Sequence, residues 1–139
     1  MASIIECDII QSEDGEVVQM GAAKTVTVTW TPATPVTTQA VTIYQIGRLV
    51  FLNTAGWFAG TAAGASAFVS TALPQVYWPA VDRHVPIEIL NNAASYITGD
   101  LLISATDGKM TIGLMNGPGT PSAFAGAACA WNLKGSYIL

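Results

Sequence analysis

The stretch KTVTVTW, residues 24–30, alternates polar and apolar side chains without a break. On an extended chain, Val26, Val28 and Trp30 fall on one face and the threonines fall on the other. β-branched and aromatic residues suit the pleated, half-buried surface of a sheet. The segment is therefore predicted to be a half-buried β-strand.

Further strand-like runs follow it, separated by turn residues. Residues 31–38 contain two prolines, which predict a loop or an edge segment. The β-branched and aromatic run 41–53 has Gly47 in its middle, which indicates a bulge or a tight turn between two short strands. Residues 55–70 are interpreted as a glycine-rich loop or loose strand leading into a strand near 67–70, because their glycines disfavour a helix.

The second half of the chain continues the pattern. HVPIEIL, residues 84–90, is predicted to be a strand, with Pro86 pushing it toward a sheet edge. Residues 95–115 predict a hairpin, closed by a two-residue turn at Asp107-Gly108. The final segment ACAWNLKGSYIL supplies one or two last strands.

These segments amount to about eight or nine short strands with regular turn signals and no amphipathic helix. The fold class predicted is all-β, a jelly-roll β-sandwich. A chain of 139 residues is long enough for one domain with a real core. We divide it into an acidic N-terminal arm, residues 1–23, and a head domain, residues 24–139.

The chain carries unusually few charges. Hydrophobic residues make up 51% and charged residues 10%, against about 25% charged in an average soluble domain. Residues 49–81 and 110–133 hold no charge at all. Glycine, proline and polar residues interrupt both runs too often for a membrane span, so no membrane insertion is expected. Interface cores are depleted in charge, and the runs therefore predict burial between subunits of an oligomer.

The net charge of −4 is concentrated at the N-terminus. No cluster of Lys or Arg occurs, and nucleic-acid binding needs one to neutralise phosphates, so that function is not expected. The acidic residues of the arm are candidates for attachment to another protein: Glu6, Asp8, Glu13, Asp14 and Glu16.

The sequence contains no recognisable cofactor or metal motif, and none is expected. Cys7 and Cys129 are far apart and lack the spacing of a zinc site. Their apolar or small neighbours favour buried free thiols, with a single disulfide as the alternative.

Asp82, Arg83 and His84 are adjacent, which raises the possibility of a catalytic cluster. Neighbouring side chains on an extended chain point to opposite faces, whereas acid–base catalysis needs groups that converge on one point. No serine has the surroundings of a catalytic nucleophile. We therefore expect these three residues to lie on a solvent-exposed loop between two strands, and we expect no catalytic residue and no enzyme activity.

The four tryptophans have different expected roles. Trp30 and Trp131 lie in strand patterns and are predicted to be core or interface residues. Trp57 and Trp78 lie at segment ends, where exposed aromatic rings can stack on sugars; the alternative is packing against a neighbouring subunit. The candidate ligand-binding residues are Trp57, Tyr77, Trp78 and Tyr96.

Several stretches resemble structural domains of bacteriophages and viruses. The opening of those domains is similar to TVTWTPATPVTTQAVTIYQIGRLVFLN in this chain. One of their turns is similar to LPQVYWPAVDRHVPIEI, and their late hairpin is similar to TGDLLISATDGKMTI. The matched positions are Trp30, Thr31, Pro32, Tyr44, Ile46, Gly47, Leu49, Val50, Leu73, Pro74, Tyr77 and Pro79.

The resemblance covers residues 24–139 and implies a jelly roll like the heads of complement and tumour-necrosis-factor proteins, assembled as a homotrimer on a virion. It implies a virion structural protein: a capsid decoration, spike or tail-associated subunit. The alternative is the receptor- or glycan-binding head of a tail fibre. The partners implied are further copies of the chain, other virion proteins and a host surface glycan. Because few residues precede the head, we expect direct attachment through the acidic arm and no fibre shaft.

Overall fold

The computed structural model describes residues 9–11, 17–19, 23–31, 37–61, 67–91, 95–114 and 128–139. Within these ranges the protein is all-β, as predicted, with one short 3-10 helix at Gln75–Tyr77. The strands are β1 Ile9–Gln11, β2 Val17–Gln19, β3 Lys24–Thr31, β4 Thr37–Ile46, β5 Leu49–Asn53, β6 Phe58–Thr61, β7 Phe68–Ser70, β8 Arg83–Asn91, β9 Ser95–Ile103, β10 Met110–Leu114, β11 Ala128–Asn132 and β12 Lys134–Ile138.

Ten of these strands form one antiparallel sheet. Its order is β12-β5-β4-β3-β7-β10-β9-β8-β11-β6. Strands β1 and β2 pair only with each other, in a separate two-stranded sheet. The predicted strand at residues 24–30 is confirmed as β3, with Val28 and Trp30 buried.

The turn between β4 and β5 is the tight turn that Gly47 predicts. Ile46 pairs directly with Leu49, so only Gly47 and Arg48 connect the two strands. Gly47 has a φ of 56°, a left-handed conformation that glycine adopts without the steric penalty of a Cβ.

The hairpin of β9 and β10 is confirmed, but the two-residue turn predicted for it is wrong. Met110 pairs with Ile103, which leaves six residues in the connection. Ser104 Oγ accepts hydrogen bonds from the backbone N–H groups of Thr106 and Asp107, and the Gly108 N–H donates to the Ser104 oxygen. These bonds stabilise one helical turn, because a serine side chain can satisfy free N–H groups in this way.

The edge position predicted for the Pro86 strand is also wrong. Strand β8 lies between β9 and β11. However, β11 pairs with β8 only from Glu88 to Asn91, so Pro86 lies in the half that has a ladder with β9 alone. A proline lacks the N–H that a second ladder would need.

The sheet is nearly closed because β11 and β12 are almost continuous. Strand β11 pairs with β8 and β6, and after Leu133 the chain continues into β12, which pairs with β5. Strand β12 lies beside β8, and Arg83 Nε donates to the Ile138 oxygen at 3.1 Å. The C-terminal residue is held at the β4–β5 turn, where the Leu139 N–H donates to the Arg48 oxygen at 2.9 Å.

The core is centred on the two tryptophans predicted to be buried. The rings of Trp30 and Trp131 meet edge to face at 5.5 Å, and Phe68 packs on Trp131 at 4.6 Å. Trp30 Nε1 donates to Gln39 Oε1, which gives the buried indole N–H a partner. The core therefore joins residues from β3, β7 and β11.

Several predictions fall on residues outside the described ranges. These are Glu6, Asp8, Glu13, Asp14, Glu16 and Cys7, so the attachment arm and the free thiols stay predictions.

In the ranges that the structure describes, no helix is long and apolar enough to cross a membrane.

Candidate functional site

The structure brings two of the four candidate aromatic residues together on the surface. Trp57, just before β6, and Tyr96, in β9, have ring centroids 5.7 Å apart and planes tilted by 56°. Trp57 is 45% exposed and Tyr96 is 65% exposed. Large aromatic side chains with this much free surface commonly serve binding, since their burial contributes strongly when a partner covers them.

The structure places Tyr77 elsewhere, in the hydrophobic core. It ends the short 3-10 helix and is buried. Its backbone oxygen accepts a hydrogen bond of 2.6 Å from the Tyr137 hydroxyl. Burial raises the pKa of the Tyr137 phenol, which keeps it protonated as this donor. Tyr77 is therefore a packing residue of the core.

Trp78 is half-buried and has a structural role. Its indole Nε1 donates to the Leu73 oxygen at 2.7 Å, and its ring lies against Gly108. The Leu73 N–H in turn donates to the Gly108 oxygen at 2.9 Å. Trp78 thus joins the segment after β7 to the β9–β10 turn, away from the Trp57–Tyr96 pair.

Thr54 fixes the loop that carries Trp57. Its backbone N–H donates to the Leu133 oxygen at 3.0 Å, and its Oγ1 accepts from the Leu133 N–H at 3.1 Å. Asn132 Oδ1 and the Gly56 oxygen lie 2.9 and 3.2 Å from the same hydroxyl, which can donate to either. These hydrogen bonds anchor the loop that carries Trp57 to the junction of β11 and β12.

The two aromatic rings line different grooves. Trp57 lines a groove of about 220 Å³ with residues of β4 and of its own loop, Thr38, Gln39, Ala40, Thr54, Ala55 and Gly56. Tyr96 lines one of about 320 Å³ on strands β8 and β9, with Pro86, Ile87, Glu88, Ile97 and Thr98. Each ring of the exposed pair therefore borders an open groove.

Glu88 and Thr98 are polar groups of this site that the sequence prediction missed. They are direct cross-strand partners, and both are exposed on the sheet face that carries Tyr96. The sequence does contain a signal for Glu88. Ile87 and Ile89 are buried on one face of the strand, and alternation therefore places Glu88 on the other, exposed face. Pairing with Thr98 could not be read without the strand register.

The Asp82-Arg83-His84 cluster does not converge on one point. Asp82 precedes β8 and accepts the Ala105 N–H at 2.8 Å, whereas Arg83 and His84 begin the strand itself. His84 Nδ1 lies 2.6 Å from Oδ2 of Asp100, whose side chain is only 6% exposed. This contact gives a buried carboxylate a partner, which is a structural role.

A second surface feature is the outer face of β4, β5 and β12, where five apolar side chains lie beside the polar Asn53, Ser136 and Lys134. Tyr44 pairs with Phe51, and Ile46 with Leu49, so each pair shares this face; Ile138 lies beside Leu49. Tyr44 and Phe51 line an open groove of about 560 Å³. We call these five residues the apolar outer face.

No family model and no curated protein matches this chain. Among solved structures, it aligns with the reovirus attachment protein sigma1, which was crystallised in complex with α-2,3-sialyllactose. The alignment covers 99% of this chain and 77% of that one, with 10% sequence identity and a TM-score of 0.44. A likeness of this size identifies neither a family nor a ligand for this protein.

Proposed function

We propose that the protein is a carbohydrate-binding head of a virion surface protein, and that Trp57 and Tyr96 form the stacking platform. The observation that carries this proposal is the exposed aromatic pair, built from a loop and a strand that are distant in sequence. Sugar rings present apolar C–H faces that pack on aromatic rings, while grooves with polar groups beside the rings fix orientation. The resemblance of residues 24–139 to virus structural domains supports the virion location.

The protein acts, in this proposal, by binding rather than by catalysis. The side chains of Asp82 and His84 are engaged in structural contacts, with the Ala105 N–H and with Asp100. Attachment to other virion proteins through the acidic arm belongs to the same proposal.

Replacing Trp57 or Tyr96 with alanine is expected to weaken binding by about 1–3 kcal/mol, about five- to 150-fold in Kd, because the stacking surface is lost. A glycan array identifies a ligand, and titration calorimetry with that soluble oligosaccharide measures Kd for each variant. Val76→Ala is the control, since Val76 is an exposed apolar residue of the short 3-10 helix, outside both the aromatic pair and the apolar outer face. Unchanged affinity in both Trp57 and Tyr96 variants would exclude the platform.

A second candidate function is that of a structural decoration subunit, a homotrimer held together by the apolar outer face. Exposed apolar surface of this kind is typical of sites covered by a partner. Among the described residues that line the groove on this face, Lys134 alone is charged, in keeping with an interface core that is depleted in charge. Both functions are compatible in one trimer, since Trp57 and Tyr96 lie outside this face.

We expect the wild-type protein to elute as a trimer at micromolar concentration. The Tyr44→Lys variant is expected to shift toward the monomer, because a charge would then lie in an apolar interface. Size exclusion with light scattering gives the mass of each form. Val76→Lys is the control, since Val76 is an exposed apolar residue of the short 3-10 helix. A wild-type protein that is monomeric at this concentration would contradict the oligomer proposal and leave the glycan proposal in place.

A further inference from the structure

The groove beside Tyr96 has a chemical character that selects among carbohydrates. Its lining residues come from β8 and β9 and include one carboxylate, Glu88, and one hydroxyl, Thr98. None of the described lining residues is basic. A ligand stacked on Tyr96 would therefore meet hydrogen-bond acceptors and a negative charge.

The Glu88 carboxylate is available to a ligand. Ion pairs in the part of the chain that the structure describes join His84 to Asp100 and Lys109 to Asp107, and Glu88 belongs to neither. Its side chain is exposed and stands opposite Thr98 in the ladder. An ionised carboxylate only accepts hydrogen bonds, so it needs donors such as the hydroxyl groups of a sugar.

A second carboxylate lies on the same face of the sheet. Asp100 follows Thr98 by two residues in β9 and pairs with Pro86, which also lines the groove. One of its oxygens contacts His84, and the other, Oδ1, is buried and has no hydrogen-bond partner among the described residues. This face of β8 and β9 thus carries two acidic residues, Glu88 and Asp100, and His84 contacts the second of them.

We infer that the site takes uncharged carbohydrate, with sugar hydroxyls donating to Glu88, and that it discriminates against sialylated and other acidic glycans. The negative charge of Glu88 would repel an anionic sugar carboxylate placed beside it. Both carboxylates only accept hydrogen bonds, so neither could donate to the other. A neutral hexose supplies neighbouring hydroxyl donors at the edge of the ring that stacks on Tyr96. This inference rests on the proposed carbohydrate-binding function and specifies its ligand class.

The test uses a glycan array that carries neutral oligosaccharides, each printed beside its sialylated form. We expect the full chain to bind neutral members at least about tenfold more strongly than the paired sialylated members. Glu88→Gln keeps the size of the side chain and removes its charge. We expect it to weaken binding of the neutral glycans about tenfold and to reduce the difference in affinity between the neutral and the sialylated member of each pair. Asp107→Asn is the control, because it makes the same change in net charge at the β9–β10 turn.

The outcomes separate the inference from the function on which it rests. Equal or stronger binding of sialylated members overturns the inference, and so does unchanged neutral binding by Glu88→Gln; loss of binding in Trp57→Ala would then still uphold the carbohydrate function. An array without any bound glycan overturns the proposed function itself. Circular dichroism of each variant confirms that the fold is intact.

Discussion

Trp131→Ala is expected to lower the free energy of unfolding by about 3–5 kcal/mol, the range found when a large buried aromatic side chain is truncated. Trp131 is fully buried in β11 and packs against Trp30 and Phe68. Its removal leaves a cavity between strands that are distant in sequence, and close-packed neighbours relax only partly into such a space. A loss of this size is a large part of the whole stability of a typical domain.

Urea denaturation followed by far-ultraviolet circular dichroism measures this effect through the midpoint of unfolding. Trp57→Ala is the matched control: the same side chain is removed from a position that is 45% exposed, and we expect a change within about 1 kcal/mol. If Trp131→Ala also changed the free energy of unfolding by less than about 1 kcal/mol, the stability of the core would not depend on this residue.

Gly108→Ala is the second substitution with a large expected effect, a loss of about 2–4 kcal/mol. Gly108 has a φ of 63°, where a Cβ costs about 1–2 kcal/mol. A Cβ at this position would also overlap the indole ring of Trp78. Moving that ring breaks its hydrogen bond to the Leu73 oxygen, which contributes about 1 kcal/mol or more.

Gly47→Ala separates the two causes. Gly47 has nearly the same backbone conformation, with a φ of 56°, and its Cβ would meet nothing within 4 Å. We expect Gly47→Ala to lose only the conformational part, about 1–2 kcal/mol. Chemical denaturation compares the two variants, and equal losses would contradict the steric role of Trp78.

The strands could be predicted because their pattern is local. Alternation around Trp30 identifies β3, and the position of Gly47 identifies the tight turn after β4. The six-residue turn before β10 could not be predicted, since Asp107-Gly108 also suits a two-residue turn. The Ser104 side chain decides between them by binding two backbone N–H groups.

Sequence reasoning identified which residue types could form the site and missed their arrangement. Trp57 and Tyr96 are candidates by residue type, but their contact depends on the pairing of β6, β11, β8 and β9. Neighbouring Tyr77 and Trp78 look alike in sequence, yet they face the core and the β9–β10 turn. Tertiary packing, which is a non-local property, separates the two pairs.

The near-continuous strand β11–β12 has a consequence for how the chain reaches its native state. Strands β3–β4–β5 and β8–β9–β10 are two groups whose members follow one another in sequence, so each can associate over short loops. Residues 128–138 then pair with β8 and β5 and bring the two groups together. Such non-local pairing is slow, on the order of milliseconds to seconds in all-β domains. Until it happens, β5 and β8 present open edges to other chains, and aggregation competes with folding at this step.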